Sequence, residues 1–192
     1  MLIVMSILLA LGVRAWQDGR DVRQLISRSL TSFQYEIAQN RSRIDDLYRY
    51  HAGLQSVLAE TDIHADPRAV EDIRNVLDSL QPAVLLTSAW DTALATGALA
   101  EMEYETVFVL SLTYSYQQRF QTLYNMRLND VLDVITDDSV VPIRLSNSAN
   151  RYMAELTTAE AELLAAYDQA TELMAADPAE SVFELTQTAR LP

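Results

Sequence analysis

The sequence predicts an all-α protein, an elongated bundle of four or five helices whose long N-terminal helix is continuous with a membrane anchor. Apolar residues recur at spacings of three and four over most of the 192 residues, which is the period of a helix that buries one face. Strand signals are scarce, and only the short stretch from Val140 to Ile143 is expected to be extended. No unit of about 20–50 residues repeats, so a solenoid is not supported.

Composition and charge exclude several classes of protein. The chain is 49% apolar and holds only 4 Gly and 5 Pro, which argues against a disordered protein. It has no Cys, so disulfide frameworks, thiolate metal sites and Cys nucleophiles are excluded. The net charge of −13 argues against nucleic acid as a partner. That charge is uneven, because residues 1–49 carry +2 and residues 50–192 carry −15.

Residues 1–16 are expected to form a short membrane anchor. Only Ser6 is polar in the run from Met1 to Val13. As a helix this run spans roughly 20 Å, whereas the hydrocarbon of a bilayer is about 30 Å thick. We favour a transmembrane helix whose beginning is missing, and a signal peptide or a core helix buried on all sides stay open as alternatives. In the favoured interpretation the anchor residues are Leu2, Ile3, Val4, Ile7, Leu8, Leu9, Leu11, Val13 and the interfacial Trp16.

The first 50 residues also carry a pattern that resembles a known group. An apolar run precedes a Trp, a charged segment and a helix with spaced apolar residues: Ile3, Val4, Ile7, Leu8, Leu9, Ala10, Leu11, Trp16, Arg20, Leu25, Leu30, Glu36, Ile37 and Asn40. The pattern resembles uncharacterised bacterial single-pass membrane proteins, with Ser6 where that group often has Gly. The resemblance implies a membrane-anchored helical domain and no particular activity. Members of the group usually have residues before the run, which favours the truncated anchor.

The resemblance implies a location in the bacterial inner membrane, with a single pass. The longer relatives place basic residues before the apolar run, which implies a periplasmic body. The residues of this chain favour the opposite orientation, because four Arg follow the run within about 15 residues and positive charge marks the cytoplasmic side. We expect a periplasmic body on the resemblance alone.

Residues 17–60 are expected to form an amphipathic stem helix. Its apolar seam consists of two rows with a seven-residue spacing, in which eight of ten positions are apolar: Ile26, Phe33, Asn40, Leu47 and Leu54, then Leu30, Ile37, Ile44, His51 and Leu58. Packing rather than helix propensity stabilises a helix this long. The seam must therefore meet either the rest of the chain or a second copy. The expected partners are a homo-oligomer through the stem and membrane lipid at the N-terminus.

Two polar residues interrupt the seam. Asn40 either specifies register and oligomeric state or bonds a neighbouring backbone group at the edge of the bundle, and we favour the second interpretation. His51 has the chemistry of a ligand or a pH sensor. We expect an ordinary bundle histidine there, satisfied by a hydrogen bond or half exposed.

Residues 61–178 are expected to form an acidic helical body that packs on the stem, followed by a loosely held tail at residues 179–192. A loop occupies residues 61–65. Asp66-Pro67 then favours a helix start, because the Asp side chain caps the helix and the Pro nitrogen has no hydrogen to satisfy. Gln81-Pro82 ends that helix.

The rest of the body is expected to hold three helices, at residues 88–100, 104–134 and 147–176. Ser88 and Asp91 resemble a capping box, and Gly97 marks a point where the first of these helices can kink. Residues 101–105 are expected to be a turn or a helix restart. A loop containing Pro142 separates the two long helices, and Asp177-Pro178 ends the last one.

The search for chemistry returns mainly negatives. The chain has no phosphate-binding loop, no HExxH, no GxSxG and no EF-hand spacing, so we expect no enzyme, no cofactor and no metal site. Alternate carboxylates at Glu101, Glu103 and Glu105 can bind Ca²⁺ weakly in a loop, but a solvated acidic turn is the expected role.

Two functional hypotheses remain. The favoured one is a non-enzymatic interaction or structural module anchored in a membrane. The alternative is a ligand-sensing helical domain with an aromatic pocket near Trp90 and Tyr114, to which Tyr124 also belongs. The competing interpretation of these rings is that they fill the bundle core.

Overall fold

The computed structural model describes the backbone of residues 2–61, 68–80, 84–136 and 142–176, and the side chains of residues 5, 14, 16–61, 68–80, 84–125 and 142–176. These ranges contain helices and no strand, which confirms the all-α prediction. The helices are α1 (Leu2–Glu60), α2 (Ala69–Asp78), α3 (Ser88–Thr96), α4 (Ala98–Glu101), α5 (Tyr104–Thr136) and α6 (Pro142–Ala176). The described part of the chain thus has six helices rather than the four or five predicted.

The three long helices form the bundle. The α6 helix makes the most extensive contacts with both α1 and α5. Two hydrogen bonds along α1 join it to α6, Arg41 with Asp168 and Gln55 with Thr157. Two along α5 do the same, Thr113 with Ala166 and Arg119 with Glu162. As the residue number rises along α1 or α5, the number of the bonded residue on α6 falls, so α6 runs antiparallel to both helices. The α1 and α5 helices are therefore parallel to each other. The short helices α2, α3 and α4 make the crossover between α1 and α5.

The heptad seam of α1 is buried within this chain. Phe33, Ile37, Ile44, His51 and Leu58 are almost inaccessible to solvent, and Asn40 is completely buried. Leu25 and Ile26 pack against the edge of the core, as do Leu47 and Leu54. Of the two ways to bury the seam, the structure therefore shows the one in which it meets the rest of the chain.

The N-terminal part of α1 has a different environment. No described side chain before Leu30 is buried, and no described apolar side chain before Leu25 packs on the core. We call residues 2–24 the arm, which at 1.5 Å per residue is roughly 35 Å long. The arm and the rest of α1 form one uninterrupted helix. No helix in the described residues is apolar over a length sufficient to cross a membrane.

Three local predictions were wrong. Residues 142–146 were expected in a loop that includes an extended piece, yet Pro142 opens α6, where its fixed φ and missing N–H suit the first turn. The predicted capping box does not form, because Ser88 bonds another helix and Thr87 occupies the cap position. The helix expected at residues 88–100 is two helices, since Gly97 breaks it.

Other predictions fall on residues outside the described ranges. These are the loop at 62–65, the Asp66-Pro67 start, the Gln81-Pro82 stop, the Asp177-Pro178 stop and the tail at 179–192. The turn between α4 and α5, at Met102 and Glu103, lies where a turn or restart was predicted.

Gly97 adopts a left-handed conformation, with φ of +75°, and its N–H bonds the carbonyl of Leu94. A Cβ at this position would meet nothing within 4 Å, so only the backbone conformation opposes a side chain. We expect Gly97→Ala to lower the free energy of unfolding by about 1–2 kcal/mol, measured by urea denaturation.

Gly53 provides the matched control for that substitution. It lies in an exposed helical position of α1, and an added Cβ there would also meet nothing within 4 Å. Gly53→Ala is expected to raise the free energy of unfolding by about 0.5–1 kcal/mol. If Gly97→Ala and Gly53→Ala changed the free energy of unfolding with the same sign, the left-handed conformation assigned to Gly97 would be contradicted.

Candidate functional site

The aromatic residues proposed as a pocket lie in two places. Trp90 and Tyr114 contact each other with ring centroids 5.2 Å apart, and Phe33 lies 6.0 Å from Tyr114 and 6.4 Å from Trp90. Tyr124 lies further along α5, with its ring 6.4 Å from that of Phe120. The structure thus brings Trp90 and Tyr114 together, packed against a ring of α1, and separates them from Tyr124.

A buried carboxylate lies directly beside the Trp90 and Tyr114 rings. Glu36 of α1 is 3% exposed, and its Oε1 accepts a hydrogen bond of 2.6 Å from the Tyr114 hydroxyl. Its Oε2 accepts hydrogen bonds from the Ser88 hydroxyl at 2.6 Å and from the Ala89 N–H at 2.9 Å. Glu36 therefore caps α3 from another helix, where the positive end of the helix dipole also favours its charge.

The next polar residue on the same side of α1 is Asn40, one helical turn away. The Asn40 amide nitrogen donates a hydrogen bond of 2.8 Å to the Leu86 carbonyl, and the Asn40 amide oxygen accepts one of 2.9 Å from the Leu86 N–H. The backbone partner agrees with the favoured prediction, but Asn40 is fully buried rather than at the bundle edge. Its side chain thus replaces the hydrogen bonds that a neighbouring strand would give to the segment before α3.

Residues of α5 and α6 complete this network. The Gln117 amide nitrogen donates a hydrogen bond of 2.8 Å to the Leu86 carbonyl. The Gln117 amide oxygen accepts two hydrogen bonds, from the Asn40 amide nitrogen at 3.2 Å and from the Tyr167 hydroxyl at 2.7 Å. On the surface, the Arg43 guanidinium donates a hydrogen bond of 2.8 Å to the Val84 carbonyl. The upper polar layer, comprising Glu36, Asn40, Ser88, Tyr114, Gln117 and Tyr167, therefore fixes residues 84–89 to α1 and joins all three long helices.

The electrostatics of the upper polar layer keep its phenols neutral. Burial raises the pKa of the Tyr114 hydroxyl, and its hydrogen bond to Glu36 raises that pKa further. Burial likewise raises the pKa of Tyr167, with the Glu36 charge acting in the same direction. Both phenols remain hydrogen-bond donors at physiological pH, so neither can act as a general base there.

A second buried polar cluster lies nearer the other end of the bundle. His51 Nδ1 of α1 is 2.7 Å from Glu160 Oε1 of α6, and both side chains are completely inaccessible. Four polar atoms here have no hydrogen-bond partner among the described residues: His51 Nε2, Glu160 Oε2 and the hydroxyls of Tyr124 and Tyr152. We call these four residues the lower polar layer. The prediction of a satisfied or half-exposed His51 was only partly right, because just one of its ring nitrogens is bonded.

No metal site is apparent in the described side chains, where no three His, Asp or Glu residues come together. Glu101 ends α4, Glu105 lies in the first turn of α5, and all three glutamates of this acidic segment are exposed. The predicted role as a solvated turn is consistent with this geometry.

An open groove runs along the surface between α5 and α6. Its lining includes Arg119, Arg151, Glu155 and Glu162, together with the small residues Ala154 and Ala159. Trp90, Tyr114 and Tyr124 do not line it. The groove and the predicted aromatic pocket are therefore different places.

Sequence reasoning gave no role to Glu36 or Glu160. Their positions on helices that also bury apolar neighbours were the available signal, since a charged residue on a buried helix face needs a partner. The partners themselves lie 52 to 109 residues away in sequence, as the Glu36–Ser88 and His51–Glu160 pairs illustrate. A comparison with protein-family models, curated proteins and solved structures finds no match to this chain.

Proposed function

We propose that this protein is a non-enzymatic interaction or structural module, in which the arm attaches an acidic helical body to a membrane. The observation that carries the proposal is the division of α1 at Leu30. Beyond Leu30 the helix belongs to the body core, whereas no described apolar side chain before Leu25 packs against that core. A helix that extends so far from its own domain needs another partner for its apolar side chains.

The composition of the arm supports a lipid partner. Met5 is 65% exposed and Trp16 is 60% exposed, and the Arg20 guanidinium lies 5.8 Å from the centre of the Trp16 ring. Trp and Arg next to an apolar run are typical of the interface between lipid and water. The charge distribution agrees, because the acidic body is repelled by anionic headgroups while the first 49 residues carry +2.

The arm also determines where self-association can occur. The seam from Leu30 to Leu58 is covered by α6 and the crossover helices, so a second copy cannot use it without opening the body. We propose that any homo-oligomer forms through the arm. The resemblance of the first 50 residues to single-pass membrane proteins suggests the inner membrane, with the body in the periplasm.

A ligand-sensing role has less support. The Trp90, Tyr114 and Phe33 rings fill the space beside Glu36 with one another, and the Tyr114 hydroxyl is already bonded. The groove between α5 and α6 gives no support to an enzymatic role, because Arg119 and Glu162 in its lining bond each other and no residue of either polar layer lines it.

Vesicle flotation of the full chain tests the proposal. With vesicles of phosphatidylcholine and phosphatidylglycerol, we expect the wild-type chain to float. Leu8→Asp should reduce the partition coefficient about 100-fold, since an Asp in the apolar run costs about 3 kcal/mol relative to Leu. Leu94→Asp is the control, because Leu94 is a 64% exposed leucine of the body. A wild-type chain that stays at the bottom of the gradient, or equal losses in both variants, would refute membrane attachment.

A further inference from the structure

The bundle core contains two buried carboxylates with opposite surroundings. Glu36 accepts hydrogen bonds from three donors, one of them a backbone N–H at a helix start. Among the described residues Glu160 has one hydrogen-bond partner, the Nδ1 of His51, and its second oxygen has none. Hydrogen-bond donors stabilise a buried carboxylate as an anion, and Glu160 lacks the three donors that Glu36 has.

The described groups around the His51–Glu160 pair add no charge that acts on the Glu160 carboxyl. From α5 the nearby titratable group is Tyr124, from α6 it is Tyr152, and both phenols interact electrostatically with Glu160. On α1 the Tyr50 ring lies 5.6 Å from the His51 ring. The α2 helix, which packs on α6, carries the half-buried Arg74. Among the described groups, the charge that acts on Glu160 is that of His51.

A carboxylate and a neutral imidazole together carry a charge of −1, so the His51–Glu160 pair is neutral only when it holds one additional proton, on either the carboxyl or the imidazole. With that proton, the 2.7 Å contact joins either a carboxylic acid to an imidazole or a carboxylate to an imidazolium. Without it, a full negative charge lies in a completely buried position with an unbonded oxygen. Such a charge is stable only if water reaches it, and water can reach it only if α1 and α6 separate locally.

We propose that His51 and Glu160 form a proton-controlled latch between α1 and α6. One shared proton keeps the lower polar layer dry and closed. Loss of that proton hydrates the layer and separates the two helices there, while the upper polar layer continues to hold α1, α5 and the segment before α3 together.

The direction of the pH effect follows from Glu160. Burial raises the pKa of its carboxyl above the ordinary value, and the hydrogen bond and charge of His51 only partly offset this rise. A carboxyl whose pKa is higher in the closed state than in the open state stabilises the closed state. This stabilisation is complete at pH values below the open-state pKa. That stability is lost as pH rises through the closed-state pKa. The latch is thus closed in mild acid and opens towards higher pH.

Hydrogen exchange of the full-length protein at a series of pH values tests the latch. After division by the intrinsic exchange rate at each pH, the opening constant of amides near His51 and Glu160 should rise by up to tenfold per pH unit. This rise should begin above the ordinary carboxyl pKa and level off above the raised one. Glu160→Gln removes the titrating group and should abolish the rise.

Glu162→Gln is the matched control, because Glu162 lies on the same helix, is exposed and pairs with Arg119 on the surface. The rise should persist in this variant. A pH-independent opening constant in the wild type, or the same rise in Glu160→Gln, would overturn the latch.

Infrared spectroscopy of the wild-type protein gives a test that needs no variant. The carbonyl stretch of an undissociated carboxylic acid, or an imidazolium signal from a buried His, should persist above the ordinary carboxyl pKa and disappear over the pH range in which the opening constant levels off. If neither signal is present while the opening constant rises, the shared proton is absent and the proposal fails.

Discussion

Asn40→Asp is expected to lower the free energy of unfolding by about 3–5 kcal/mol at pH 7, although the two side chains have nearly the same shape. The amide nitrogen of Asn40 lies 2.8 Å from the Leu86 carbonyl oxygen and 3.2 Å from Gln117 Oε1. The substitution places a carboxylate oxygen against both of these acceptors in a fully buried position. An uncompensated buried charge costs an amount of this order.

The pH dependence of that loss is diagnostic. Burial next to two acceptors would raise the pKa of the new carboxyl, so the loss should shrink as pH falls and the acid becomes protonated. A protonated Asp can donate to the Leu86 carbonyl and accept from the Leu86 N–H, as Asn40 does. Urea denaturation of wild type and variant at pH 7 and pH 4.5 measures the difference.

Asn75 offers the control for this substitution. It is an exposed Asn on α2, and its side chain has no hydrogen bond to the upper polar layer. Asn75→Asp should change the free energy of unfolding by no more than about 0.5 kcal/mol at either pH. If Asn40→Asp behaved like Asn75→Asp, the upper polar layer would not be a determinant of stability.

Periodicity was sufficient to predict the stem and its buried face. Eight apolar residues in two heptad rows define a stripe along α1, and the structure buries that stripe or packs it against the core. The reason is local, because helical spacing alone decides which side chains share a face. The same reasoning placed α5 within two residues of its observed end at Thr136.

The polar members of the core could not be predicted in this way. Asn40 and His51 were visible as exceptions in the rows, but their partners Leu86 and Glu160 lie 46 and 109 residues away. Hydrogen bonds between distant segments depend on how helices are arranged in three dimensions, and a single sequence does not specify that arrangement. The cap of α3 illustrates this limit, since local spacing favoured Ser88 and Asp91 whereas Glu36 of another helix accepts the Ala89 N–H.

Helix ends were the least predictable local feature. Pro142 was assigned to a loop because Pro usually interrupts a helix, yet at the first position of α6 it needs no hydrogen-bond partner. Gly97 was identified as a kink, and its left-handed φ turns that kink into a break between two helices. In both cases the residue type was informative, and its position within the helix decided the outcome.

The division of α1 predicts very different effects for proline at two exposed positions. Gln17 lies in the arm, and Tyr35, which is 67% exposed, lies where the opposite face of the helix is buried in the core. Proline inside a helix removes a hydrogen bond, clashes with the preceding turn and costs about 3 kcal/mol or more. Only at Tyr35 does that cost fall on structure that unfolds together with the body.

The thermal unfolding midpoint of the full-length protein is therefore the most direct measurement of which part of α1 unfolds together with the body. Tyr35→Pro should lower the midpoint by about 10 °C, given a shift of about 2–4 °C per kcal/mol for a chain of this size. Gln17→Pro should leave it within about 1 °C of wild type. Equal decreases in the two variants would show that the arm is part of the cooperative body, and the proposal of an independent attachment helix would then be wrong.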